Sequence, residues 1–215
     1  MKKTGKQALQ WVFIPLFLGS LWGIAEATAG HVLHLLQIPG LAGLLMFPVG
    51  LFFMVRAYFS TGRLSSVFLT SMIAANVKLV DLFLPIQTPF MVINPALAIL
   101  CESIPVILFF SWKDFKHPRY RLVNLWIMAV SWRLLHGLSL VFMGFLFPVS
   151  GFFDLGIALM VRFFVLESLV NGILIYLMFG IGIFPEENSS WNLRRMPVLS
   201  SVLMFLIAIT VEFFI

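Results

Sequence analysis

Seven apolar stretches, each long enough to cross the roughly 30 Å of hydrocarbon in a bilayer, divide this chain. Hydrophobic residues make up 61% of its 215 residues and charged residues only 11%, which is more apolar surface than a soluble domain of this size could bury. The sequence therefore predicts an all-α, polytopic membrane bundle in one transmembrane domain, 1–215, with a core over 10–182 and an additional C-terminal helix. The predicted spans are 10–36, 41–58, 64–85, 90–112, 121–147, 154–182 and 196–215.

The basic residues predict how the chain is oriented. The joints at 37–40, 86–89 and 148–153 contain no Lys or Arg. Because positive charge collects on the cytoplasmic side, these joints are expected outside and the N-terminus inside. Because these basic residues are explained as signals of membrane orientation, the positive net charge of the chain does not indicate a nucleic-acid partner, and none is expected. The basic residues at the other joints are Lys2, Lys3, Lys6, Arg56, Arg63, Lys113, Lys116, Arg119, Arg121, Arg194 and Arg195.

The N-terminus also has features of a secretory signal peptide. Lys2 and Lys3 precede an apolar run with small residues around Ala27. However, the apolar run continues to Leu36, and Glu26 lies inside the would-be cleavage site. We therefore favour a first span that is retained over one that is removed.

The first span carries an acidic residue on its most closely packing face. At about 100° per residue, Gly19, Gly23, Glu26 and Gly30 fall within roughly 40° of one another. A carboxylate is costly in lipid, so Glu26 is expected to face other helices or a water-filled cavity. The glycine spacing alone is also typical of simple tight packing against a neighbouring helix. We expect Glu26 to form an ion pair with one of the bases inside the membrane, Lys78, Arg133 or Arg162.

Other polar residues within the spans lie mainly from mid-membrane to the outer end. A one-sided distribution indicates a pocket that opens to the outside rather than a pore. In such a pocket, arginine and histidine would hold carboxylate or phosphate oxygens, and the acids and the asparagine would accept hydrogen bonds from the ligand. The candidate substrate-binding residues are Glu26, Lys78, Asp81, Asn94, Glu102, Arg133, His136, Arg162 and Glu167.

Several of these residues also have a purely structural interpretation. Lys78 and Asp81, three positions apart, can neutralise each other on one helix face. Arg133 could form a structural bridge with Glu102 or Glu167. Another pattern is Glu167 with Asn171 four residues later, which is typical of hydrogen bonding between helices.

The sequence contains few residues that could bind a metal or a cofactor. A single cysteine, Cys101, can form no disulfide within the chain and no multi-cysteine metal site. His31 and His34 share a helix face, but two histidines are a weak metal signal. No metal or cofactor is predicted.

Prolines around Asn94 predict an irregular segment over 85–95 that would cover the pocket mouth.

The pattern resembles the substrate-binding S components of energy-coupling factor (ECF) transporters. The likeness covers 10–182 at the level of architecture, with Gly19, Gly23 and Ala27 as the small-residue motif on helix 1 and with the stretch 50–54. The resemblance implies a bacterial plasma membrane, a vitamin or other micronutrient as ligand, and docking of that motif on a transmembrane coupling subunit. No Walker motif occurs in the sequence, so partner ATPases would supply the energy.

Three functions follow as hypotheses. The leading one is a substrate-capture subunit, which is not an enzyme, for uptake of a small polar or anionic nutrient. The second is an intramembrane enzyme using Cys101, Arg133 and His136, an arrangement that resembles exosortase-type transpeptidases. The third is a non-catalytic subunit of a larger membrane complex.

Overall fold

The computed structural model describes residues 5–36, 38, 40–85, 89–111, 121–146, 156–184, 193 and 197–215. Regular secondary structure in these ranges is helical throughout, so the predicted all-α bundle is confirmed. The α-helices are α1 Gly5–Ala25, α2 His31–Leu35, α3 Leu41–Thr61, α4 Leu64–Lys78, α5 Phe90–Ser111, α6 Arg121–Leu146, α7 Gly156–Val161, α8 Glu167–Gly180 and α9 Val198–Phe214.

Six stretches of helix are long and apolar enough to cross a membrane, and each corresponds to one of the first six predicted spans. The seventh predicted span contains α9, which has 17 residues and is therefore about 26 Å long. That length is slightly below the thickness of the hydrocarbon, so a crossing by α9 stays a prediction. The six long spans are Gln10–Leu33, Leu41–Thr61, Leu64–Phe83, Phe90–Ser111, Leu122–Phe145 and Gly156–Gly180.

Two of the spans are interrupted by a turn of π-helix. The first turn, Glu26–Gly30, joins α1 to α2, and the second, Arg162–Leu166, joins α7 to α8. Each begins at a charged residue within the apolar span. Short π-helical turns inside α-helices occur frequently at functional sites, because the extra residue redirects the side chains around it.

Helix α3 lies inside the bundle and contacts α1, α4, α5 and α8. Its inward face is almost fully buried, with Phe47, Met54 and Val55 all at 0% exposure. Around it, α1 packs on α4 and α9, α5 packs on α4 and α6, and α8 packs on α6. Outward-facing positions such as Leu138 and Phe142 are exposed and apolar, which suits contact with lipid.

The glycines of the first span form a close contact between α1 and α4. A Cβ atom added to Gly19 would lie 2.6 Å from the Thr70 carbonyl oxygen and 2.8 Å from Ile73 Cβ. One added to Gly23 would lie 2.8 Å from Val77 Cβ. The two helices therefore approach as closely as they do because these positions have no side chain.

The same contact bears on the proposed docking motif. Gly19 and Gly23 are buried, and Ala27 is only 2% exposed. For both glycines the neighbours belong to α4 of the same chain. Their small size is therefore accounted for by packing within the bundle, the alternative that the sequence left open.

Substituting Gly23 tests this packing. We expect Gly23→Ala to destabilise the protein by about 1–3 kcal/mol, because the added methyl group overlaps the Val77 side chain. Gly144→Ala is the matched control, since a Cβ there meets no atom within 4 Å. Thermal unfolding in detergent compares the two variants. Equal stability would mean that α1 and α4 can separate slightly at no cost.

The predicted irregular segment over 85–95 is wrong for the part that starts at residue 90. Helix α5 begins at Phe90 and includes Asn94 and Pro95. In an apolar setting the backbone must satisfy its own hydrogen bonds, which favours extending the helix despite a proline. Residues 86–88 lie outside the described ranges.

A candidate ligand site at one end of the bundle

A cavity of about 450 Å³ lies among the first, second, fourth, fifth and sixth spans. Its lining comes from the ends of the spans that adjoin the joints at 37–40 and 148–153 and the start of α5, which is the end that the sequence places outside. Rim positions such as Ile38 are exposed, whereas Glu102 at the floor is 3% exposed. The polar lining residues are Glu26, Asn94, Glu102, His136, Arg162 and Glu167.

Helix α5 supplies one wall. Asn94, Ala98 and Glu102 follow one another at intervals of four, which puts them on one stripe of the helix and along the depth of the cavity. Among the described residues, neither Asn94 Oδ1 nor Glu102 Oε2 has a hydrogen-bond partner, although both atoms are buried. This wall therefore presents acceptors that the described residues leave unsatisfied.

Glu26 lies next to this wall on the first π-helical turn. Its Oε1 accepts a hydrogen bond of 3.1 Å from Trp22 Nε1, one turn earlier. The Trp22 ring and Glu102 share the space above Gly50, where an added Cβ would overlap the ring and lie 2.8 Å from Glu102 Oε2. Gly50 thus leaves room for the Trp22 ring and the Glu102 carboxylate at the cavity floor.

The predicted ion pair of Glu26 is wrong. Over the described ranges, no Lys, Arg or His nitrogen lies within 4.0 Å of its carboxylate. The three bases proposed as its partners are all paired with other acids. The rotation of each helix, which the sequence does not reveal, decides which of several candidate partners a buried charge meets.

Glu167 is the acid that pairs with two of these bases. Its Oε1 lies 3.2 Å from Arg162 Nε, and its Oε2 lies 3.9 Å from Arg133 Nη2. The carboxylate also lies beside Gly40, which has a φ of 79° and precedes α3. A negative charge at this end of α3 is favoured by the helix dipole. Of the two partners predicted for Arg133, Glu167 is the one within ion-pair distance.

Arg133 lies behind the cavity lining and is fully buried. Its guanidinium carbon is 4.6 Å from the Trp132 ring centre and 5.4 Å from that of Phe163. Nη1 makes only long contacts of 3.5 Å with the Ala129 carbonyl and Ser168 Oγ. The charge is therefore balanced by Glu167 and two aromatic faces, so Arg133 supports the wall rather than reaching into the cavity.

Asn171 and His136 complete the polar framework. Asn171 Nδ2 donates a 2.7 Å hydrogen bond to the Leu44 carbonyl and so joins α8 to α3, which confirms its predicted role between helices. His136 lines the cavity from α6 and is 7% exposed. Its Nδ1 is 3.4 Å from Ser139 Oγ, one turn further along the same helix.

Lys78 and Asp81 lie outside the cavity lining, in a separate cluster. Their predicted pairing is confirmed, with Lys78 Nζ 2.7 Å from Asp81 Oδ2. Lys78 Nζ is also 2.5 Å from Glu212 Oε1 on α9, a partner that the sequence analysis missed. Glu212 is 3% exposed, so this cluster attaches α9 to the end of α4.

Of the remaining candidates for catalysis or metal binding, Cys101 and His31 are not among the residues that line the cavity. Cys101 is partly buried on α5 and does not line the cavity, so the enzyme hypothesis gains no support from it. His31 is exposed, while the side chain of His34 lies outside the described part of the structure. Within that part, no three His, Cys, Asp or Glu residues are grouped so that they could hold a metal ion.

The fold and its apolar faces make this a multi-pass helical membrane protein. No protein-family model, curated protein or solved structure matches the chain.

Proposed function

We propose that this chain captures a small polar molecule at the outer face of a membrane, as the substrate-binding subunit of an uptake system powered by partner ATPases. The observation that carries the proposal is the cavity, which ends at the buried carboxylate of Glu102. One oxygen of this carboxylate has no hydrogen-bond partner within the described ranges. Its volume of about 450 Å³ falls in the range of small-molecule sites, about 300–1,000 Å³.

Three properties of the cavity support binding over a purely structural role. Its polar groups converge within apolar walls that include Met46, Ile99 and Phe163, the usual composition of a ligand site. Both π-helical turns lie at it, through Glu26 and Arg162. Buried acceptors without donors are costly, and a ligand that supplies the donors removes this cost.

Filling the cavity tests the proposal. Ala98 lines it from α5, so Ala98→Trp should exclude the ligand while the outer surface of the bundle is unchanged. The matched control is Leu108→Trp, which puts the same ring on a 61% exposed position of the same helix. The full chain is purified in detergent, and small molecules released on denaturation are identified by mass spectrometry.

We expect one compound to be released from wild type and from Leu108→Trp, and to be reduced at least tenfold in Ala98→Trp, since a bulky ring leaves too little space for it. An equal amount from Ala98→Trp would show that the compound binds elsewhere. If wild type releases no compound, and no member of a library of small polar nutrients raises its Tm, the binding function itself is contradicted.

A further inference from the structure

The charges around the cavity do not balance, and the excess is negative. Glu167 is matched by Arg162 and, behind the wall, by Arg133. Glu26 and Glu102 also line the cavity, and no cation of the described residues lies within 4.0 Å of either. A buried carboxylate without a counter-ion carries a large desolvation cost. With all five groups ionised, these three acids face two bases, so the cavity lacks one positive charge at its floor.

The hydrogen-bonding groups of the cavity are also unbalanced, because they include more buried acceptors than donors. Glu102 Oε2 and Asn94 Oδ1 are buried acceptors with no donor among the described residues. Over the part of the chain that the structure describes, Glu26 receives one hydrogen bond, from Trp22. Glu26 and Glu102 both line the floor, whereas Asn94 lies two helical turns from Glu102 along α5. A group placed at the floor would therefore need several N–H donors and a positive charge.

We infer that the ligand is a small organic amine, bound in its ammonium form with the nitrogen directed at Glu26 and Glu102. This inference rests on the proposed binding function and names the ligand class for the same site. An ammonium supplies three N–H donors and the missing charge, and charge-assisted hydrogen bonds of this kind are the strong ones. The carbon skeleton lies against the apolar lining, including Met46 and Phe163.

The inference revises the ligand class expected from the sequence. The sequence predicts a small polar or anionic nutrient, with Arg133 and Arg162 among the groups that would hold an anion. In the structure both are paired with Glu167, and Arg133 does not line the cavity. A bare metal ion fits poorly, because the cavity of about 450 Å³ is far larger than an ion and much of its lining is apolar.

Matched probes of opposite charge test the inference. We compare phenethylamine, tyramine and cyclohexylmethylamine with carboxylic acids and neutral amides of matching carbon skeleton. The full chain in detergent is heated with each probe, and the concentration dependence of Tm gives the affinity. We expect the amines to raise Tm and the matched acids and amides to leave it unchanged.

The decisive variant is Glu102→Gln, which keeps the shape and removes the charge. Amine affinity should fall about tenfold or more, because a charge-assisted hydrogen bond is lost. Without ligand, Tm should be at or above that of wild type, because an uncompensated buried charge is gone. Asp81→Asn is the control, since Asp81 is an acid outside the cavity whose partner Lys78 keeps Glu212. It should leave amine affinity unchanged.

Glu26→Gln provides a second test if Glu102→Gln does not fold, because it removes the charge of the other carboxylate that faces the ammonium and should weaken the same amines. Binding of acids or amides in preference to amines would overturn the ammonium inference and leave the proposed function standing. A Tm raised by sodium chloride but not by choline chloride would also overturn it. If no probe binds and wild type releases no compound, the proposed function fails as well.

Discussion

Glu167→Gln is expected to lower the free energy of unfolding by about 3–5 kcal/mol, the usual cost of leaving a buried ion without its partner. Arg133 has 0% exposure, and Glu167 is the acid within ion-pair distance of it among the described residues. The amide keeps the size of the side chain but not its charge. The guanidinium would then rely on the Trp132 and Phe163 faces and two long hydrogen bonds.

Chemical unfolding of the purified protein in detergent measures this effect, with Arg162→Gln as the matched control. The Arg162 side chain is 45% exposed, so its pair with Glu167 should contribute less than about 1 kcal/mol. The double variant Arg133→Met/Glu167→Leu should recover most of the loss, because an apolar pair replaces an ionic one. If Glu167→Gln is as stable as wild type, the aromatic faces alone compensate Arg133.

The boundaries of the membrane spans could be predicted closely from the sequence. The third span was expected over 64–85 and occupies Leu64–Phe83, and the fourth was expected over 90–112 and occupies Phe90–Ser111. Hydropathy over about twenty residues is a strong signal, because the bilayer fixes the length and forces the backbone to be helical. Charge at alternate joints favours seven spans, of which six are long and apolar enough to cross a membrane in the described part of the structure.

The sequence predicted which residues line the cavity better than it predicted which charged residues form ion pairs with each other. Six of the nine candidate residues line it, because an ionisable group within a span must face the interior of the bundle. Which charge meets which depends on how each helix is rotated, and a local pattern reports this only within one helix. The pair Lys78 and Asp81 is therefore predicted correctly, whereas the ion pair predicted for Glu26 does not occur among the described residues.

Two further features had no usable local signal. The π-helical turns at Glu26–Gly30 and Arg162–Leu166 lie in stretches whose apolar pattern predicts a regular α-helix. A charged residue at the start of each was the hint available. Glu212 gives no such signal, because a single acid three residues before the last position is also typical of a helix end. Its partner lies 134 residues earlier in the chain.

Lys78→Met is expected to loosen α9 from the bundle and to lower the free energy of unfolding by about 3–5 kcal/mol. Lys78 Nζ is 2.5 Å from Glu212 and 2.7 Å from Asp81, and Glu212 is 3% exposed. Without the ammonium, two nearby carboxylates repel each other in an environment of low polarity. Turning the Glu212 carboxylate toward water then lowers the free energy, which favours movement of α9 away from the bundle.

Thiol labelling can follow α9 directly. In a Cys101→Ser background, Ser201→Cys puts a thiol at a position of α9 with 0% exposure, so its labelling rate should rise in the Lys78→Met variant. Lys78→Arg is the control that retains the charge and should label slowly. Adding Glu212→Leu and Asp81→Asn to Lys78→Met should restore slow labelling, because the uncompensated acids are then absent. Unchanged labelling in Lys78→Met alone would mean that apolar packing on α1 holds α9 without the ionic cluster.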